Sequence, residues 1–413
     1  MFWPGNKLRI RDSFTQLALF LCIVFQFTAG AEYDIRQIAD ETRINRDPVI
    51  SGTGLVAWQS LSGEGTDNAE SEVVIYQNGT VKPLTEGSAL VAGNLNPRVH
   101  GSRAVWTAGS KRAEYVAPQP RVPAGTNAVP ADTETAAAAA PEEPAPKKEV
   151  KPGRGGDNIV FWDGSEVKVL TNDGRDNAHP SLSDTTIAWQ TDRQWPLGWE
   201  IMVWNNGEAT QVTSNEFYDM APQVSGNRVV WYGWDGEDYE IFLYDHDTRE
   251  TTQITDNRYD DIAPVITEDM IAWQGFPSVE SDIFVWQDGA IKKLSDNPED
   301  DSHVRASGKL VVWQGFDGDD FEIYLYDGEK VVQLTNNKFD DVEPDVGDGA
   351  VCWMGYHNNW DPEIFVLPSI DGVAEMLTSN DYEDRDPKTA GRKVTWRARN
   401  EGRTMVYLAE PKE

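Results

Sequence analysis

"QLTNNKFDDVEPDV" occupies Gln333 to Val346, and eighty residues earlier Gln253 to Ile266 reads "QITDNRYDDIAPVI". The two stretches share Gln, Thr, an Asn, an Asp pair and a Pro at matching positions. A chain that writes one acidic sentence twice repeats either a metal site or a structural joint, and the surrounding residues decide which. Both copies sit between an alternating apolar segment and a Trp, and that Trp recurs: "LVAW" at Trp58, "RAVW" at Trp106, "TIAW" at Trp189, "RVVW" at Trp231, "MIAW" at Trp273, "LVVW" at Trp313, "AVCW" at Trp353 and "KVTW" at Trp396. The period is close to 40 residues except after Trp58 and between Trp106 and Trp189. Self-similarity at this period is the signature of a repeat architecture.

Each repeat resolves into four short strands. Around Trp313 these are "VRASG", "LVVWQG", "EIYLYD" and "VVQLT", and the last two are joined by "YDGEK", whose counterparts include "YQNGT", "WNNGE" and "WQDGA". Asn-Gly and Asp-Gly supply the positive φ angles of a tight hairpin, so the third and fourth strands are antiparallel neighbours. Four-stranded units at this spacing indicate an all-β fold, a β-propeller. Fourth strands ending in "QLT"-like triplets occur seven times, and the eighth comes from the other end of the chain. "DIRQIADETRINRDPVI", Asp34 to Ile50, aligns with "KVVQLTNNKFDDVEPDV", whereas the last repeat ends at "TMVYLAEPKE" after three strands. The expectation is therefore eight blades closed by the N-terminal strand, with seven as the alternative should the irregular first repeat not form a full blade. Closure of this kind removes the open strand edges that promote aggregation.

Residues 1–31 read as a signal peptide, with Lys7, Arg9 and Arg11, the apolar run Phe14 to Phe27, and Ala29-Gly30-Ala31 as a cleavage site. Residues 32–413 are expected to form a single propeller domain, exported to the periplasm, the cell surface or the medium. No later stretch is long and apolar enough to span a bilayer. Residues 117–156, Pro/Ala-rich and nearly without large apolar side chains, read as a disordered insertion inside the second blade. The net charge is -33, and with the +2 of the leader set aside the remainder carries -35. Such a field repels phosphate backbones, which argues against nucleic acid, and it favours cations or basic partners. Of the two Cys, only Cys352 would remain after cleavage, so no intramolecular disulfide is expected.

The pattern "EIYLYDGEKVVQLTNN", with "EIFLYDHDTRETTQITDN" and "EIMVWNNGEATQVTSN", resembles the TolB-like or PD40 (WD40-like) class of β-propeller repeats found in exported bacterial proteins. The resemblance covers nearly all of the chain outside the leader and the insertion, and it implies the fold far more than the function. The class includes adaptors, cell-surface proteins, peptidase propellers and glycan-degrading enzymes. Two departures stand out: the usual Ser-Pro-Asp-Gly turn is replaced by "VSGNR", "ASGKL" or "VGDGA", and no room is left for the separate N-terminal α/β domain of TolB, so a Tol-Pal role is not implied.

Asn45, Asn94, Asn177, Asp219, Asp261, Asp301, Asp341 and Asp384 hold one position in all eight joints. Asp or Asn there suits an Asx-turn, in which the side-chain oxygen accepts a backbone N–H. A repeated calcium site is the competing reading. Function is expected where blades differ, on the face that gathers the joints and the loops between second and third strands. That face would collect a ligand-binding set, Trp195, Trp199, Trp234, Phe276, Phe316, Tyr356 and Trp360, and a possible calcium set, Asp235, Glu237, Asp238, Asp317, Asp319 and Asp320. Carboxylates suit calcium, and aromatic platforms suit sugar rings or apolar peptide side chains. The alternative role for these residues is packing between blades and a solvated rim.

No G-x-S-x-G elbow is present, and no catalytic residue is assigned. The expectation leans to a non-enzymatic propeller that binds a protein or glycan. The alternative, a TolB-like polysaccharide lyase or glycoside hydrolase, would draw on His179, His303 and His357.

Overall fold

The computed structural model describes residues 33–39, 42–62, 71–85, 92–109, 156–192, 198–295, 297–358 and 361–412. The expected leader and most of the insertion, with its basic end at Lys147, Lys148, Lys151 and Arg154, lie outside them. The described residues form eight four-stranded antiparallel sheets, so the eight-blade reading holds and the seven-blade alternative does not. Blade 5 is typical: Asp261–Ile266, Met270–Gly275, Asp282–Gln287 and Ala290–Lys293 pair in chain order. The third-to-fourth hairpins turn at Asn78-Gly79, Asn206-Gly207 and Asp288-Gly289, all with positive φ, as their composition requires.

Blade 8 is built from both ends of the fold. Tyr33–Ala39 lies antiparallel on Arg403–Pro411, with Tyr33 opposite Pro411 and Ala39 opposite Val406. Tyr33, Ile38 and Ala39 are buried there. Arg36 pairs with Glu410, which also meets Lys393 at 2.7 Å. These two cations hold the Glu410 carboxyl below its usual range, the Lys393 hydrogen bond contributing most.

Every second strand buries its Trp, and all eight are at most 1% exposed. In blades 4 to 8 the indole stacks on the third-strand ring directly opposite it: Phe242, Phe284, Tyr324, Phe365 and Tyr407, at centroid distances of 5.6–5.9 Å. The apolar clusters run between blades, as where Val312, Ile323 and Leu325 of blade 6 pack with Trp353 and Phe365 of blade 7. Cys352 is fully buried in such a cluster.

First strands of successive blades touch one another all around the ring, so they line its axis. Each carries a bulge against its second strand at one equivalent position, and blade 2 has a second shift between Ala92 and Asn94. The bulges centre on Asp47, Asn96, His179, Ala221, Ala263, His303, Glu343 and Asp386, with φ between 50° and 57°. Non-glycine residues pay a penalty in this left-handed region, and all but His303 precede a Pro. The ring therefore repeats one strained backbone turn eight times beside its axis.

Candidate functional site

The repeated acidic sentence is a set of interlocking hydrogen bonds. In all eight blades the joint Asp or Asn accepts the indole N–H of that blade's Trp, at 2.7–3.0 Å. This corrects the Asx-turn expectation, because the oxygen bonds a buried side chain. The Asx-turn is made four residues earlier, where Asn215, Asn257, Asn297, Asn337 and Asn380 accept the N–H two residues on. The amide of the same Asn donates to the second oxygen of the joint Asp, at 2.6 Å for Asn257 and Asp261. The preceding Asp serves too: Asp260 and Asp340 accept the N–H of Tyr239 and Phe321, where third strands begin. Thr255 and Thr335 accept the N–H of Ile241 and Ile323.

Blade 3 runs the same pair backwards. Asn177 donates to Asp173, and Asp173 accepts the Arg175 N–H of the turn. In the Asp blades burial raises the joint carboxyls, to about 7 for Asp261 and Asp384, about 6 for Asp301 and about 8 for Asp341. Gly233, Gly275, Gly315 and Gly355, two residues after their Trp, leave room for these carboxylates: a Cβ there would collide with the Asp Oδ1.

Carboxylates not spent in the joints gather in two loops. Asp317 and Asp320 meet Glu322 in blade 6, and Asp235 meets Glu240 and Asp256 in blade 4, with one oxygen of each residue within 4.8 Å of the others. Glu237, Asp238 and Asp319, named from the sequence, are outside these two groups, whereas Glu240, Asp256 and Glu322 were missed. Both Glu are fully buried. Their Oε1 atoms accept the N–H of Asn257 and Asn337 at 2.6 and 2.7 Å. Their Oε2 atoms, and Oδ1 of Asp238 and Asp320, are buried without a hydrogen-bond partner. Burial, then repulsion from neighbouring acids, raises Asp320. Calcium takes oxygens at 2.3–2.6 Å, so oxygens across one ion stand at most about 5 Å apart, and both groups fit that span.

Trp234, Phe316 and Tyr356 in second strands and Phe276 just after one are half-buried, as is Trp199 at the start of a third strand. Trp195 and Trp360 lie outside the described residues. Trp234 packs edge-on against Tyr239, and Phe316 against Phe321, so part of this set does pack within its own blade. Tyr356 instead lines a cavity of about 1150 Å³ between blades 6 and 7. Phe321, Phe339, Asp320, Lys338 and Arg385 share its wall, and His303 and Glu343 carry it to the axial bulges. Arg385 donates to the Tyr356 hydroxyl at 3.3 Å.

His179 and His303 occupy bulges in blades 3 and 6. Burial, then nearby cations, lowers both, Arg98 acting on His179 and Arg305 on His303. Neither joins a metal-competent group among the described residues.

No family model and no curated protein matches this chain. Solved structures do. The chain resembles the β-propeller domain of the Trilobed protease from Pyrococcus furiosus, with a TM-score of 0.51 and 12% identity over 90% of this chain and 94% of that one. It resembles a puromycin-hydrolyzing peptidase of Mycobacterium tuberculosis at 0.52 and 12%, covering 90% of this chain and 61% of that one. The computationally designed Ika8 protein aligns at 0.51 and 12%, over 90% and 98%. TolB from Acinetobacter baumannii also aligns, at 0.39 and 13%, over 85% and 79%. At these identities the first three likenesses establish the propeller fold, and the fold alone.

Proposed function

We propose that the protein is an exported, non-enzymatic binding propeller that takes a glycan or protein ligand on its loop face, with calcium organising the blade 6 loop. The cavity beside Tyr356 carries this reading. It combines three rings, Tyr356, Phe321 and Phe339, with carboxylate and cationic groups, and a mostly apolar concavity with a few convergent polar groups is the usual form of a ligand site. Asp320 belongs both to this wall and to the carboxylate group with Asp317 and Glu322. A cation there would satisfy buried oxygens that lack a donor and would fix the cavity's rim. Asp235, Glu240 and Asp256 would hold a second ion in blade 4.

The test is a glycan and peptide array probed with the protein, with and without calcium. Binding that falls at least tenfold in Tyr356→Ala and weakens on calcium removal is the expected result. Binding unchanged by Tyr356→Ala would overturn the assignment of this cavity. Hydrolysis or elimination products from any array glycan would replace it with the enzyme reading.

A further inference from the structure

The axis of this acidic ring holds cations from opposite blades. Arg98, in blade 2, follows the bulge at Asn96-Pro97, and Arg305, in blade 6, follows the bulge at His303-Val304. Both stand two residues past their bulge on first strands that line the axis, and the two blades are four apart in a ring of eight, so the positions are equivalent and opposite; burial, then the charge of Arg305, lowers Arg98. These positions therefore face each other across the central channel. The Arg98 side chain is exposed, which places it in that channel rather than in the packed wall.

Among the described residues Arg98 has no ion-pair partner, and Arg305 has one long one. Among the described residues Arg98 donates only to the carbonyl of Pro97, at 3.4 Å. Arg305 donates to the carbonyl of Val304 and stands 4.0 Å from Asp345, whose other oxygen already accepts the N–H of Thr389. Lys388, at the equivalent position of blade 8, donates only to Pro387. Each Arg also has a bulge His in its field, His179 for Arg98 and His303 for Arg305. The nearby carboxylates are Asp47, Asp345 and Glu343. A guanidinium fork is shaped to bind oxyanions bidentately.

We infer that Arg98 and Arg305 form an axial site for a small multivalent oxyanion, a phosphate or a polycarboxylate, bridged between them and flanked by His179, His303 and Lys388. The site shares His303 with the wall of the Tyr356 cavity, but the inference does not depend on what that cavity binds. The anion would enter along the axis, which the first strands line.

The experiment is a thermal melt and titration of the full chain in EDTA with inorganic phosphate, with citrate, and with potassium chloride at matched ionic strength. Phosphate or citrate should raise the melting temperature beyond the chloride control, and whichever arm is tighter identifies the anion class. Arg98→Gln and Arg305→Gln should each lose at least tenfold in that affinity, while Arg103→Gln, whose partner is Asp184, should keep it. Without added anion, Arg98→Gln should melt no lower than wild type, because it removes a repulsion. A drop there would assign Arg98 a structural role and overturn the proposal, as would anion shifts equal to chloride or wild-type affinities in the two axial variants. Glycan or peptide capture by Tyr356→Ala reports on the cavity alone, so the two readings fail separately.

Discussion

Asn257 and Asp261 should be exchangeable only together. In the native joint the Asn257 amide donates to Asp261 Oδ2 at 2.6 Å, Asp261 Oδ1 accepts the Trp273 indole at 2.8 Å, and Asn257 Oδ1 accepts the Tyr259 N–H at 2.9 Å. Asp261→Asn keeps the indole bond but sets one amide group against another in a buried site, at a cost of about 1–3 kcal/mol for the broken pair. Asn257→Asp alone sets carboxylate against carboxylate, with Glu240 also bonded at that backbone, and costs at least as much. The double exchange restores one donor and one acceptor in the order that Asp173 and Asn177 use naturally. It also preserves the turn and the indole bond. Glu240 remains close, whereas the blade 2 strand has the neutral Asn158 at the matching position, so recovery should be partial. The assay is denaturant unfolding followed by Trp fluorescence on wild type, both single variants and the double variant. A coupling energy of about 1–3 kcal/mol, favouring the double exchange, is expected. Additive effects of the two substitutions would refute the exchange of roles and, with it, the account of the joint as a donor-acceptor lock.

Stability should fall as pH rises from 5 to 8. Buried joint carboxyls raised to about 7 at Asp261 and Asp384, and about 8 at Asp341, hold more protons folded than unfolded. Their contribution is therefore complete below the unfolded value near 4 and is lost as pH climbs through the folded values. The denaturant midpoint measured against pH checks this, and Asp341→Asn should flatten the slope. Millimolar calcium should raise the melting temperature, since a ligand at a hundred times its Kd adds about 2.7 kcal/mol. A shift equally large in Asp317→Asn/Asp320→Asn would show charge screening only. Gly315→Ala, which would place a methyl against Asp301 and Tyr324, should cost about 1–3 kcal/mol, read as a lowered thermal midpoint. Removing Tyr33 to Ala39 strips two large buried side chains from blade 8, worth about 3–6 kcal/mol. A melt unchanged by that deletion would contradict the closure.

The blades and their closure were legible because they are written in strong signals: a Trp at fixed phase, Asn-Gly and Asp-Gly turns, and an N-terminal segment aligned with a fourth strand. The clamp between Trp and joint residue was legible too, in the constant spacing of 12 residues in seven blades and 13 in the first, but spacing alone does not separate an indole acceptor from a turn. The Asn four residues earlier was the missing clue, since it accompanies Asp in five joints and gives way to Asp173 where the joint residue is Asn177. The carboxylate groups were half read. Asp317 and Asp320 lie in one loop, but Glu322 is the second residue of a strand whose pattern assigns it to the blade, and only folding brings one of its oxygens to the loop. Arg98 and Arg305 left no sequence signal at all, because 207 residues separate them and only ring closure brings them to one axis.

That closure also fixes an order of events. Arg36 and Glu410 are 374 positions apart, and bringing such distant points together in an unfolded chain costs about 5 kcal/mol by loop-closure scaling. Once seven blades have curled into an arc, their geometry already holds the two ends side by side and most of that cost has been met. The strand from Tyr33 to Ala39 is then the last to dock, although it is made before any blade. Until it docks, Arg403–Pro411 presents a bare edge, and a synthetic Tyr33–Ala39 peptide added during refolding should compete for it.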